Sequence, residues 1–512
     1  MTLITSSLLV DLVGFVTAMV AVIYAYYLWT FQYWKKRNVP YLEPTIPWGN
    51  FENPNKRTMF LGDNVRAIYR EARSRGWKHC GMYTMARPNY LVLDLDIAKQ
   101  IMTKDFHNFV DRGIYTNEKD DPLSCHLFAI GGTKWRNLRT KLTPTFTSGK
   151  MKAMFGTLVE CASVLDKYIE HHIDDEDGVD IKNVLGNFST DVIGSCAFGL
   201  DCNSFKDQNS PFRQYGIRIF ARTKAENIKQ AFCMNFPEVA ALLRLRINTK
   251  EVTDFFTKVV NDTVSYREKN NYTRNDFLQL LIDIKNNKEA QANGQKGDGK
   301  TLTMDELTAQ SFVFFLAGFE TSSTTMTFAL YELATHQDIQ DKVRQEIKEV
   351  LAKHDGQISY DSLNDLKYMS QVIDETLRKY SPVPFLTRIC GEDYKIPDED
   401  VIIEKGIRVI IPVHAIHYDE EYYENPSEFD PERFNEENKA ARHPYAHLPF
   451  GEGPRNCIGE RFGVMQTKVG LTTILKNFRV TLNKKTKVPL EYSMTSFIPI
   501  VKDGIWLNVE KL

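Results

Sequence analysis

An excess of charge of either sign is missing from this chain of 512 residues: Lys plus Arg number 64, Asp plus Glu 66, and the formal net charge is −2. A dedicated nucleic-acid binder carries a strongly basic footprint, so that class is excluded. Paired cysteines are missing as well. The 8 cysteines stand apart at Cys80, Cys125, Cys161, Cys196, Cys202, Cys233, Cys390 and Cys457, with no CxxC spacing and no disulfide framework. They read as thiols in a reducing compartment. No Cys or His group has zinc-ligand spacing, and His171 with His172 reads as a solvated helix end. There is no internal repeat, no long low-complexity tract and no GxGxxG dinucleotide fingerprint. A hydrophobic share of 43% with mean hydropathy −0.35 excludes a disordered chain and a multi-span membrane protein, so any membrane segment must be local.

One such segment is present. From Leu12 to Trp34 no Asp, Glu, Lys or Arg occurs, which is long enough for a single transmembrane helix of about 20 residues. Tyr, Trp and Phe crowd its C-terminal end, as suits a membrane-water interface, and Lys35, Lys36 and Arg37 follow at once. The positive side should be cytosolic, with Asp11 at the lumenal end. A cleaved signal peptide fits less well, since it wants a charged start and a shorter apolar core. In this orientation the acceptors headed by Asn187, Asn261 and Asn271 should carry no glycan. Pro40, Pro44 and Pro47 make the next stretch a stiff, non-helical connector. The division expected is therefore an anchor over 1–37, a connector over 38–50 and a single body over 51–512.

Helical patterns dominate from about Lys150 to Tyr380, while Tyr90 to Leu93 and Arg408 to Pro412 read as strands, giving a mainly α body with small β-sheets. Asn286 to Lys300 reads as a surface loop. After it, Thr303 with Glu306 forms a capping box, and the following run is apolar on nearly all sides, as in a central buried helix.

Four local patterns carry candidate chemistry, and each has a bland alternative. In Phe450-Gly451-Glu452-Gly453-Pro454-Arg455-Asn456-Cys457-Ile458-Gly459, glycines let the backbone fold around a sulfur. Backbone N–H groups and the next helix N-terminus should lower its pKa toward the thiolate that a metal or a nucleophilic mechanism uses. The FxxGxxxCxG spacing sets this cysteine apart from an ordinary packed thiol. Glu375 and Arg378 share one helix face; alone they read as a surface pair worth about 0.3 to 0.5 kcal/mol, unless Arg433 in Pro431-Glu432-Arg433-Phe434 makes a triad. Ala317-Gly318-Phe319-Glu320-Thr321 sets a carboxylate and a hydroxyl in the central helix. Either Glu320 points outward and Thr321 bonds back to the Ala317 carbonyl, or the small residues open a gap in which the hydroxyl meets a bound group. Arg139 in Trp135-Arg136-Asn137-Leu138-Arg139, with Arg388 and Arg455, could clamp a dianion, though each singly reads as a surface arginine.

In this order the four patterns resemble the cytochrome P-450 superfamily of heme-thiolate monooxygenases, from the N-terminal anchor to the end of the chain. FVDRG, AGFETSSTT, ETLRKY and PFGEGPRNCIGERFG look most like insect microsomal enzymes of the family-six type. The resemblance implies the cytochrome P-450 fold and heme with Cys457 as axial thiolate and Phe450 beside it. It implies a buried triad of Glu375, Arg378 and Arg433, and heme propionates held by Trp135, Arg139, Arg388 and Arg455. Thr321 and Glu320 would handle protons. Substrate linings would fall at Ile114 to Phe128, Val383 to Leu386 and Thr495 to Ile498, with Phe128, Phe315, Ala317, Phe385 and Phe497 favouring a lipophile. A thiolate ligand favours O–O cleavage and attack on C–H bonds. With no flavin or dinucleotide motif, electrons should come from NADPH through a partner flavoprotein, NADPH-cytochrome P-450 reductase, with cytochrome b5 as a second candidate. Lys134, Arg136 and Lys141 would meet the acidic partner. The implied location is the endoplasmic reticulum membrane. Ser381 replaces a proline usual at that place, a departure expected to leave the chemistry alone. A heme-thiolate isomerase or dehydratase, a non-catalytic heme or hydrophobe binder, and a thiol hydrolase are the alternatives.

Overall fold

A computed structural model describes residues 8–512 except 54–55, 174, 208, 287–300, 398 and 495. Most of the expected loop from Asn286 to Lys300, and Thr495, lie outside the described residues.

The central helix spans Met304–Thr335. Its capping box forms as the sequence reading expected: Thr303 Oγ1 accepts from the Glu306 N–H at 3.1 Å and the Glu306 carboxylate accepts from the Thr303 N–H at 2.9 Å. The helix is apolar on nearly all sides because it is packed on nearly all sides. The helix Ile181–Phe198, itself buried over most of its length, lies along it, and at Gly318 a side chain would strike Ile193. The helix Glu460–Asn477 closes another side, and the helix Lys367–Lys379 packs alongside. These helices enclose the larger of the two principal apolar cores.

The second core surrounds a four-stranded sheet. Its order is His79–Thr84, Arg87–Val92, Arg408–Ile411, Leu386–Ile389, paired antiparallel, parallel and antiparallel. The register sets Arg388 opposite Val409, which delivers a buried arginine to the border between the sheet and the helical body. Strands Val179–Asp180, Trp506–Lys511 and Phe478–Leu482 form a second sheet, and Tyr394–Lys395 with Ile402–Ile403 a third. The mainly α class with small sheets is what the hydrophobic periodicity predicts.

At the N-terminus the helix Leu8–Thr30 leaves nearly all of its surface open as far as Tyr26. It belongs to the one segment among the described residues long and apolar enough to cross a membrane. Its C-terminal end and the turns that follow it behave differently. Tyr27 and Phe31 are buried, and Trp34 is fully buried, its indole lying where a side chain on Gly81 would be. The Trp34 indole N–H donates to the Met82 carbonyl at 3.3 Å, and the Tyr83 hydroxyl donates to the Phe31 carbonyl at 3.0 Å. Arg37 grips Glu404 with Nε and Nη2 at 2.8 and 2.7 Å, and the Tyr33 hydroxyl donates to the same carboxylate at 2.8 Å. The expected interfacial belt is thus corrected in part. Tyr26 and Trp29 remain exposed, whereas Tyr27, Phe31 and Trp34 belong to the core of the body, because Gly81 leaves a slot shaped for an indole.

Candidate active site

The cysteine loop is built by tight turns. The Leu448 carbonyl accepts from the Gly451 N–H at 3.1 Å, and the Phe450 carbonyl accepts from the Cys457 N–H at 2.8 Å. Gly453 has φ 74°, and a side chain there would overlap the Met102 carbonyl, so only glycine fits. Cys457 has open surface, yet desolvation by the surrounding protein raises its thiol pKa. Together the two facts put the sulfur on the wall of an internal space. The direction reverses the sequence expectation of a lowered pKa. The Gly459 N–H, Arg112 and Arg139 do pull it down, but burial outweighs them. A thiolate here needs a cation bonded to it, as metal coordination provides.

Beside the loop four arginines and a tryptophan converge. Arg139 holds the loop itself, donating to the Asn456 carbonyl at 3.0 Å and to Asn456 Oδ1 at 2.7 Å. Arg455 is buried, donates to the Val110 and Ile130 carbonyls at 2.8 Å each, and lies 4.0 Å over the Trp135 ring. Arg388 is buried with Nε unpartnered and Nη1 on the neighbouring Thr387 carbonyl at 2.8 Å. Arg112, absent from the sequence-derived set, donates to the Arg455 and Phe128 carbonyls at 2.8 and 3.0 Å. Burial lowers the pKa of all four, to about 10 for Arg388 and about 9 for Arg455. Arg388 further depresses Arg112 and Arg455. Asp111, half exposed, is 3.8 Å from Arg455. His126 has its Nδ1 unpartnered, and burial beside Arg112 pushes its pKa down to about 4. So much buried positive charge with so little anion beside it is unfavourable unless a dianion completes the cluster. The carboxylates of heme fit that requirement.

Glu375 and Arg378 form a bidentate pair at 2.6 and 2.8 Å with both side chains at 0% exposure. Arg433 reaches the same carboxylate at 3.5 Å, and the Asp430 N–H donates to it at 3.0 Å. Arg378 also donates to the carbonyls of His417, Pro426 and Glu428. The surface-pair alternative for Glu375 and Arg378 is therefore overturned.

In the central helix Ala317 is exposed and Thr321 half exposed, although the turns around them are buried. The Thr321 hydroxyl donates to the Ala317 carbonyl at 2.5 Å. Glu320 neither points outward nor joins that face. It is buried, and Lys182 donates to its carboxylate at 2.7 Å while also reaching Ser323 and Thr324 at 3.0 and 2.8 Å. Desolvation lowers the Lys182 pKa, and Glu320 raises it in part. Replacing Lys182 with Met leaves a buried carboxylate unpaired, which costs about 3 to 5 kcal/mol. Thermal unfolding should show the loss, and the double replacement Lys182→Met with Glu320→Gln should recover most of it.

Of the substrate-lining candidates, Phe128 and Phe497 are each 42% exposed, and Phe497 meets Phe385 edge-on at 5.4 Å. Phe315 is corrected. It is fully buried, stacked on Phe319 at 5.6 Å and packed among Phe198, Phe212 and Phe256. Two residues along a helix turn a side chain by roughly 200°, so Phe315 cannot share the face of Ala317. Ser381 is buried, and its hydroxyl lies 2.8 Å from His417 Nδ1.

Two side chains escaped the sequence reading. Arg112 lies within FVDRG, a stretch whose resemblance is carried by all five residues and singles out none of them. Lys182 gave no signal, since its partner lies 138 positions away.

Comparison with known proteins agrees with this geometry. The family model "Cytochrome P450" matches residues 44–505. A probable cytochrome P450 6a14 of Drosophila melanogaster is 44% identical over 511 residues, covering 97% of this chain and all of the relative. Cytochrome P450 6a2 of the same organism is 44% identical over 487 residues, covering 94% and 96%.

Proposed function

Because this chain belongs to the cytochrome P450 family and is a monooxygenase of the insect family-six type, we propose that it inserts one atom of O2 into lipophilic small molecules with electrons from NADPH. Xenobiotics such as plant toxins or insecticides are the substrates put forward, with endogenous hormones or lipids as a second set. The observation that carries this reading is Cys457 on the wall of an internal space beside buried arginines short of an anion.

Heme with a thiolate ligand supplies oxygen activation and an oxidant for C–H bonds. In this reading Cys457 holds the iron, with Phe450 beside it. Arg139, Arg388 and Arg455, with Arg112 added, neutralise the two carboxylates, and Trp135 carries Arg455 on its face. Glu375, Arg378 and Arg433 fix the shell behind the cysteine loop. The Thr321 hydroxyl gives its proton to the Ala317 carbonyl, so its oxygen turns lone pairs to the open face of the central helix, where it can accept a hydrogen bond and hold a proton donor in place. Glu320 is held by Lys182 away from that face, so the pair acts as a latch that must open before the carboxyl group can reach the site. Phe128, Phe385 and Phe497 exclude water and favour an apolar, flat substrate.

Within residues 1–37 the turns before Tyr27 act as the anchor in the endoplasmic reticulum membrane while Tyr27 to Arg37 seat it on the body; 38–50 act as the connector and 51–512 as the cytosolic monooxygenase body. Reductase, and cytochrome b5, would dock near Arg136, which is exposed, and Lys141. Lys134 pairs with Glu118 at 2.8 Å and would exchange that partner on docking.

The test is the carbon monoxide difference spectrum of the reduced protein beside Cys457→Ala, followed by turnover with reductase and a panel of lipophiles. The expected result is a strongly red-shifted Soret band absent from the variant, with reductase-dependent NADPH consumption and a product one oxygen heavier. A histidine-like band, or substrate conversion without NADPH, would overturn the reading.

A further inference from the structure

The imidazole of His417 is fully buried and bonded on both sides. Its Nε2 accepts from the Leu448 backbone N–H at 2.9 Å. A backbone N–H can only donate, so Nε2 carries the lone pair and the ring proton sits on Nδ1. Nδ1 lies 2.8 Å from Ser381 Oγ and 3.1 Å from the Arg378 carbonyl, and the His417 carbonyl accepts from Arg378 Nη1 at 2.8 Å. Leu448 in turn opens the cysteine loop, its carbonyl accepting from the Gly451 N–H and the Phe450 carbonyl from the Cys457 N–H. One continuous path of hydrogen bonds thus runs from the buried triad, through one imidazole, to the loop that carries the sulfur.

We propose that His417 is a positioning residue for the Cys457 loop, fixing Leu448 through the Nε2 lone pair while Nδ1 ties the ring to Arg378 and Ser381. The inference rests on the reading of Cys457 as the heme ligand. The ring does this only when neutral, because an imidazolium has no lone pair for the Leu448 N–H.

Its surroundings enforce neutrality. Arg378 faces it from the Lys367–Lys379 helix, with Glu375 already taken up by Arg378 and Arg433. His414, paired with Asp63 at 3.2 Å, faces it from the Val413–Ile416 helix. His447 lies 5.3 Å away, ring to ring, on the segment before the cysteine loop. Burial first, then His447, Arg378 and His414, depress the His417 pKa well below 6.5. The sign follows. Above 6.5 the ring is neutral in the closed and opened loop alike, and the bond is fully present. As pH falls below 6.5 only the opened state takes up the proton, so opening is favoured about tenfold per unit through this one group.

Glutamine can place an acceptor where Nε2 stands and does not titrate; asparagine reaches only the Nδ1 position. His417→Gln should therefore keep the thiolate-type carbon monoxide band at neutral pH, and acid conversion to the thiol-type band should show a pH slope lower by about one proton. His417→Asn should convert already at neutral pH. Gln and Asn variants that behave alike, or a Gln variant with the wild-type acid slope, would overturn the proposal. Amide exchange at Leu448 in the wild-type protein gives a readout independent of heme. Because His447 beside Leu448 is also held below its usual value, at about 4, the slope below 6.5 should be steeper in the wild-type protein than in His417→Gln by about tenfold per pH unit after correction for intrinsic rates, and equal slopes overturn the proposal. If the wild-type protein lacks the thiolate band while Leu448 exchange shows this difference in slope, the reading of Cys457 has failed and that of His417 has not.

Discussion

Replacing Glu375 with Gln is expected to leave almost no folded protein. The carboxylate faces two arginines, Arg378 at 2.6 Å and Arg433 at 3.5 Å, and neither Glu375 nor Arg378 has any exposure. Removing the anion strands buried cations, at about 3 to 5 kcal/mol for a single broken pair. Whole-protein stabilities are about 5 to 15 kcal/mol, so the loss takes from about a fifth to all of what is available. Arg378→Met is expected to be as severe by a different route, because the carbonyls of His417, Pro426 and Glu428 lose their donor as well. The double variant should therefore recover only part of the loss. Yield after mild detergent extraction and the thermal midpoint of what remains measure both effects; near-normal yield of Glu375→Gln would show that the triad contributes little.

The second large effect has opposite signs in two states of one protein. Arg388→Met removes a buried cation whose Nε has no partner and whose charge depresses Arg112 and Arg455. Without heme the variant should be as stable as the parent or more so, since like charges are relieved and little bonding is lost. With heme it forfeits a charge-assisted bond worth about 1.5 to 3 kcal/mol, a roughly ten- to hundredfold weaker hold on the group. Heme transfer to an acceptor apoprotein and thermal unfolding of the heme-free chain separate the two. A variant destabilised equally in both states would mean that Arg388 serves packing alone.

What the sequence disclosed follows from how far apart the interacting residues lie. The Cys457 loop, the Glu375–Arg378 pair and the Thr303–Glu306 cap are each set by spacings of ten residues or fewer, and spacing is visible in a string of letters. The Thr321 bond to Ala317 is equally local, and the sequence offered it as one of two alternatives. Lys182 beside Glu320 and Trp34 over Gly81 join segments far apart in the chain, so no periodicity announces them. His417 is of the same kind: its neighbourhood joins positions 378, 381, 417 and 448, and only the fold assembles that sequence into one network. The raised pKa of the Cys457 thiol is hidden from the sequence for another reason. The N–H groups that lower its pKa are written in the loop, but the burial that raises it is contributed by the whole molecule. Phe315 shows the limit of composition, since an aromatic in an apolar run fits a core and a ligand wall equally well until its helical face is known.

The seating of Trp34 bears on how the chain can be shortened. A cut placed just after residue 37, at the end of the charged triplet, would take away the indole that fills the Gly81 slot and the Arg37 grip on Glu404. The surface laid bare would include Tyr83 and Tyr90, both fully buried now, and a newly opened apolar groove invites self-association. Trimming that ends before Tyr27 discards the lipid-facing turns and keeps the plug, so a water-soluble version of this protein should begin about ten residues earlier than the charge pattern suggests.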